Sequence, residues 1–198
     1  MKKSEATRID ILNKAFQLIY AKGYQTTSID DILATTNVTK GAFYYHFKNK
    51  DEMAKAIIEE IIKPNMTNSF IKPLHNETNP LENIYNLIND LLFNNEFLKV
   101  EYGCPTSNLV QEISPWNMEL SNALQEIVNT WQIELKQVIQ DGIKKGLIKV
   151  DIVPEQVAFF IMSSYWGIRN FGKIYNNKEC YHSYLKELNQ YLNSLKKK

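Results

Sequence analysis

Apolar side chains recur at helical intervals along nearly the whole chain. Ile9, Leu12, Phe16 and Ile19 fall at i, i+3, i+7 and i+10, the spacing of one helix face. A cation and a glycine, Lys22-Gly23, mark its end. Ser28 with Asp31 three residues on reads as a capping box opening a short second helix, with Ile29, Ile32 and Leu33 inward. Thr35-Thr36-Asn37 breaks it, and Asn37 suits a left-handed turn. Thr39 can cap a third short helix. Asn49 with Glu52 caps a fourth, predicted to run to about Lys63, before Pro64. Four helices with a tight turn between the second and third form a helix-turn-helix.

Further on, residues 64–80 hold three prolines and four asparagines and predict an irregular hinge. Asn79-Pro80-Leu81-Glu82 restarts a helix with a cap, a first-turn proline and an acid. Ser114-Pro115 is expected to open a long helix with Leu124, Ile127, Trp131, Leu135 and Val138 on one stripe, ending at Lys144-Lys145-Gly146. Pro154-Glu155 begins another, and the last runs from about Glu179 into the lysine tail. Nothing reads as a strand. The pattern predicts an all-α chain of about nine helices, divided into a helix-turn-helix domain (1–50), a connecting helix and hinge (51–79) and a larger helical domain (80–198).

Charge sharpens the division. The net charge is only +1, yet the first 50 residues carry eight basic against four acidic side chains, so that end suits a polyanion. Two cysteines, Cys104 and Cys180, indicate no disulfide framework and fit a reducing cytoplasm. Ser4-Glu5 stands where a signal peptide would need an apolar run, and the apolar stretch Val157 to Ile168 is too short to span a bilayer.

The chemistry concentrates in residues 39–53, "TKGAFYYHFKNKDEM". Phe43 and Phe47 lie four apart and share a helix face, which with Val38 can pack on Ile29, Ile32 and the first helix. Lys40, Tyr44, Tyr45, His46 and Lys48 then point elsewhere. Tyrosine and histidine offer an apolar body and a hydrogen-bonding tip, suited to phosphate oxygens and thymine methyls. Gly41 and Ala42 lack bulk, so the helix start can approach base edges while Lys40 reaches a guanine or a phosphate. Thr27 and Ser28 would set hydroxyls and backbone amides against the phosphate chain, and Lys48 and Lys50 have the same opportunity. For His46 a capping or core role stays open.

With these residues in view, about 5–55 resembles the DNA-binding region of the TetR family of bacterial transcriptional regulators. Thr27 and the run Lys40-Gly41 … Phe43-Tyr44-Tyr45-His46-Phe47 carry the likeness most specifically. The later helices are similar in length and layout to that family's ligand and dimer domain. One departure is Thr36-Asn37, where family members usually have Ala-Gly. The resemblance implies that Lys40, Gly41, Ala42 and Tyr44 face bases, while Thr27, Ser28, Thr39, Tyr45, His46 and Lys50 hold phosphates of double-stranded DNA.

A single helix-turn-helix offers little contact, so a homodimer is expected. Tyr181, Tyr184, Leu185, Leu188, Tyr191, Leu192 and Leu195 form a stripe on the last helix, and the helix before it is apolar nearly all round. The last two helices are therefore the expected dimer surface, with Ser163, Ser164, Gly167 and Gly172 permitting close approach; an intrachain core could also explain the stripe. The family resemblance implies an inducer pocket, for which Tyr102, Asn108, Trp131, Tyr165 and Trp166 are candidate lining, though an aromatic stripe is also simply core. Cys104 could sense oxidants or be an inert buried thiol. Arg169, a basic residue in a strongly apolar helix, could pair with an acid or hold an anionic ligand. His75 and His182 read as solvated.

The function expected is a DNA-binding regulator, a repressor released from a palindromic operator by an unidentified small molecule. The alternative is a regulator with no inducer, controlled by a protein partner or acting as an activator. An enzyme is disfavoured: the chain has no phosphate-cradling glycine loop, no metal-ligand spacing and no nucleophile–base pair, so neither cofactor nor metal is expected.

Overall fold

The computed structural model describes residues 3–76 and 79–197; Lys2, residues 77–78 of the expected hinge and Lys198 of the tail lie outside them. Within the described residues the helices run α1 (Lys3–Lys22), α2 (Ile29–Ala34), α3 (Lys40–His46), α4 (Lys50–Ile57), α5 (Pro80–Phe93), α6 (Pro105–Ile113), α7 (Met118–Lys144), α8 (Pro154–Tyr175) and α9 (Glu179–Ser194). Strands are absent among them, apart from an isolated bridge between Ile148 and Lys196. The chain divides into two compact units: Met1–Pro64 with Pro105–Glu126, and Asn65–Cys104 with Ile127–Lys198.

In the first unit, α1 buries Ile11, Leu12, Ala15, Phe16 and Ile19, while Ile9 of the expected stripe faces outward. Gly23 ends the helix at φ +100°, a conformation that favours glycine, and its N–H donates to the Ile19 carbonyl at 2.8 Å. The capping box at α2 is present: Asp31 N–H donates to Ser28 Oγ at 3.0 Å, and Ser28 N–H to Asp31 Oδ2 at 2.8 Å. Hydrogen bonds from Ser28 hold the Asp31 carboxyl below the usual carboxylate range. Asn37 does not take the left-handed conformation expected of it, since Asn176 is the one non-glycine with positive φ among the described residues. Two threonines close the turn instead. Thr35 and Thr36 donate backbone N–H to Ile32 and Leu33 carbonyls at 3.1 Å each, and their hydroxyls bond the same two carbonyls. Arg8 grips Glu60 through both nitrogens, at 2.6 and 2.5 Å, fixing α1 to the turn after α4.

The expected break at Pro64 is absent. From Ile57 the chain continues through a π-helical turn (Ile58–Ile62), Lys63–Met66, a second π turn (Thr67–Ile71) and a 3-10 turn (Lys72–His75). Ile58, Ile62, Met66, Phe70 and Leu74 are all buried at a strict four-residue interval. Four residues overshoot one α-helical turn of 3.6, and the wider π turns absorb the excess. Burial of that row outweighs the proline.

In the second unit, the Asn79–Pro80 start of α5 is as expected, with Asn79 Oδ1 accepting from Leu81 N–H at 2.9 Å. The long helix begins in the first unit, later than Ser114-Pro115 suggests: Asn117 supplies the cap, its Oδ1 accepting from Leu120 N–H at 3.0 Å, and α7 starts at Met118. Phe70, Trp131 and Tyr165 form an edge-to-face trio with centroids 5.2, 5.6 and 5.8 Å apart. Arg169 is fully buried and donates from Nη2 to the carbonyls of Lys99 (2.8 Å) and Gly103 (2.6 Å), tying α8 to the turn before α6. His75 is not simply solvated: its Nε2 lies 2.7 Å from Glu134 Oε2.

The α9 stripe is intrachain core. Tyr181, Leu185, Leu188, Leu192 and Leu195 are buried within the chain, and Tyr184 Oη meets Ser164 Oγ at 3.0 Å. Gly172 lets Tyr181 reach α8, since a Cβ there would lie 2.5 Å from the ring's Cζ. Gly172→Ala must push a buried ring aside, costing about 1–3 kcal/mol. Thermal melting should fall by roughly 2–10 °C, and an unchanged melting temperature would show that this helix pair is not packed as described.

Candidate nucleic-acid interface

Helix α3 owes its orientation to two rings. Phe43 and Phe47 are buried, 5.7 Å apart, and the Arg8 guanidinium lies 5.2 Å from the Phe47 ring centroid. Their inward turn sends the rest of the helix outward. Tyr45 is 78% exposed and Tyr44 47%, with Tyr44 edge-on to Phe43 at 5.4 Å. Thr39 caps the helix, its Oγ1 accepting from Ala42 N–H at 3.3 Å. Lys40 is exposed and pairs with Asp30 at 3.1 Å, a surface contact weak enough to exchange for a phosphate. Gly41 is exposed, and a Cβ built on it meets nothing within 4 Å. Internal packing therefore gives no reason for glycine in this helix, where it costs stability relative to alanine.

His46 is half-buried with its ring 4.9 Å from that of Tyr45. Lys48 and Ser28 are exposed, Ala42 half so. Two residues depart from the expected geometry. Thr27 is fully buried, its hydroxyl donating to the Gly23 carbonyl at 2.7 Å, because it closes the turn between α1 and α2. Lys50 leans back, its Nζ 4.2 Å from the centre of the Tyr24 ring. Burial lowers its pKa below the usual lysine value, opposed by Asp51, Glu112 and Asp31. Thr39, Lys40, Gly41, Tyr44 and Tyr45 thus sit together on one short exposed helix, and Ser28 and Lys48 are exposed beside other helix starts.

Residues that the sequence pattern does not single out support this head. Tyr24 Oη donates to Asp51 Oδ1, and Asn117 Nδ2 donates to Asp51 Oδ2 at 2.9 Å. Burial, then the bond to Asp51, pushes the Tyr24 phenol pKa upward. Lys55 pairs with Glu119 at 2.6 Å. These partners lie 27 to 66 positions apart, so no local spacing announces them.

Of the inducer candidates, Trp131 and Tyr165 are fully buried, while Tyr102, Trp166 and Asn108 are half-buried. Tyr102, Trp131, Tyr165 and Trp166 belong to the second unit, whereas Asn108 lies on α6 in the first. Cys104 is a buried thiol. Among the described residues no group of acidic, histidine or cysteine side chains could hold a metal ion, and no helix is long and apolar enough to cross a membrane.

Comparison with known proteins accords with this geometry. The sequence model of "Bacterial regulatory proteins, tetR family" matches residues 11–57, and that of "Tetracyclin repressor-like, C-terminal domain" matches residues 80–188. An uncharacterized HTH-type transcriptional regulator from the lacX 3' region of Lactococcus lactis is 34% identical over 131 residues, covering 66% of this chain and 67% of that protein. The HTH-type transcriptional repressor DhaR of Mycobacterium sp. is 26% identical over 179 residues, covering 87% and 85%. The crystal structure of a TetR transcriptional regulator from Chloroflexus aurantiacus superposes with a TM-score of 0.88, covering 99% of this chain and 98% of that one at 22% identity. A helix-turn-helix with an outward tyrosine-lysine face, joined to a matching helical body, makes this chain a member of the TetR family of DNA-binding transcriptional regulators.

Proposed function

We propose that the chain is a homodimeric, cytoplasmic repressor that leaves a palindromic operator when its body binds a small molecule. The observation that carries the DNA contact is the unfilled space at Gly41 beside exposed Lys40 and Tyr44. In this reading Lys40, Gly41, Ala42 and Tyr44 meet base edges, and Ser28, Thr39, Tyr45, His46, Lys48 and Lys50 meet phosphates. Lys50 would swing off Tyr24 to do so. The buried Thr27 serves through the turn it closes. Repression is what the name of DhaR states for that relative.

A two-fold partner suits the exposed side of α8. Phe160, Ser163, Gly167, Phe171 and Ile174 follow one another on a single stripe, and Phe160, Phe171 and Ile174 are largely exposed. Gly167 has open space where a side chain would stand, so a second helix can approach closely there. In this reading the last two helices form the dimer surface, with the exposed side of α8 as the part that meets the partner. Two heads would then address successive major grooves about 34–36 Å apart.

For the ligand, the second unit offers Trp131, whose buried Nε1 meets no acceptor among the described residues. A buried donor of this kind calls for a partner, and an acceptor on a bound molecule would satisfy it. Tyr102, Tyr165 and Trp166 are the proposed neighbours. Such a molecule shifts the equilibrium only by its different affinity for the DNA-competent and released states.

Two outcomes test this reading. Gly41→Ala should leave the free protein as stable or stabilise it by about 0.5–1 kcal/mol, yet weaken binding to a duplex selected from random sequence by the wild-type chain at least tenfold in a mobility-shift titration. Equal affinity would remove Gly41 from the interface. Phe160→Glu combined with Phe171→Glu should convert a dimer into a helical monomer in light scattering; a persisting dimer would place the interface elsewhere.

A further inference from the structure

Helix α6 lies outside the matched helix-turn-helix segment, residues 11–57, yet it packs in the same compact unit as that head. Its contact is polar and specific. Glu112 Oε2 accepts the backbone N–H of Gln25 at 2.9 Å, and the Gln25 side chain reaches back to the Glu112 carbonyl at 3.5 Å. The carboxylate rests directly over Gly23, where an added Cβ would lie 3.0 Å from both of its oxygens. A residue with a side chain at position 23 would displace it. The turn so held, 23–25, also carries Tyr24. That phenol donates to Asp51 at the start of α4, and its ring is the platform under the Lys50 ammonium. Thr27, two residues further on, returns its hydroxyl to the Gly23 carbonyl and so fixes the entry to the Ser28 cap of α2.

We propose that Glu112 is a positioning residue for DNA binding: from α6, its carboxylate clasps the α1–α2 turn and presets the Ser28 end of α2 for the phosphate chain. The inference rests on the DNA contact proposed above for Ser28. It adds a residue that lies outside the helix-turn-helix and takes no part in the DNA contact itself. The physics is preorganisation. Without the clasp the turn samples other conformations, and apparent affinity falls by the fraction of molecules that remain competent.

The test compares the full-length wild type with Glu112→Ala, Glu112→Asp and Glu112→Gln. It uses amide hydrogen exchange at Gln25 without DNA, and titration of the duplex selected by the wild type. Glu112→Ala should speed Gln25 exchange and lower affinity by about tenfold, the scale of one charge-assisted hydrogen bond. Glu112→Asp keeps the charge but falls a methylene short, and should behave like alanine. Glu112→Gln keeps an acceptor in place and should restore both readouts to within about threefold of wild type. If the alanine variant does not fold, the aspartate variant carries the comparison. Fast Gln25 exchange with wild-type affinity would overturn the positioning role, and wild-type exchange in the alanine and aspartate variants would show that the clasp does not exist. The exchange readout needs no DNA, so it stands or falls separately from the proposed phosphate contacts.

Discussion

The burial of Phe43 and Phe47 is the constraint from which the exposed face of α3, the proposed DNA surface, follows. Each ring fully removed from water contributes about 1.5–3 kcal/mol, a large share of what a short helix needs in order to stay docked. A seven-residue helix would not persist alone in water. Once those two positions point inward, helical geometry leaves Lys40, Gly41, Tyr44 and Tyr45 no choice but to face out. The same interaction that stabilises the fold thereby exposes the side chains proposed above to meet DNA.

Much of this was legible in local spacing. The Phe43/Phe47 pair, the Ser28–Asp31 box, the Thr39, Asn49 and Asn79 caps and the proline starts of α5 and α8 depend on residues within four positions of each other, and the structure shows each one. What escaped was set by competing interactions. Pro64 reads as a breaker, but the buried row from Ile58 to Leu74 holds the chain helical through two π turns. Asn37 reads as a left-handed turn, but hydroxyls of Thr35 and Thr36 satisfy the carbonyls that such a turn would serve. Helix α6 carries few local signals, and its bond to the head, from Gln25 to Glu112, joins residues 87 positions apart.

The α9 stripe shows why periodicity cannot name a partner. Seven apolar or aromatic positions at helical spacing demand burial, and sequence alone does not say whether the cover is the same chain or another. Here the chain itself buries five of them and leaves Tyr184 and Tyr191 half-buried, while α8 keeps a second apolar side exposed at Phe160, Phe171 and Ile174. Arg169 makes the same point for charge: its Nη2 donates to two backbone carbonyls, a kind of partner that helical spacing does not name.

Hydrogen exchange across the full-length chain, with and without a selected duplex, tests the central claim most directly. Added protection should concentrate in α3 and the starts of α2 and α4, with the buried Phe43 and Phe47 amides slow in both states. Protection appearing instead on the body, with residues 39–46 unchanged, would contradict it.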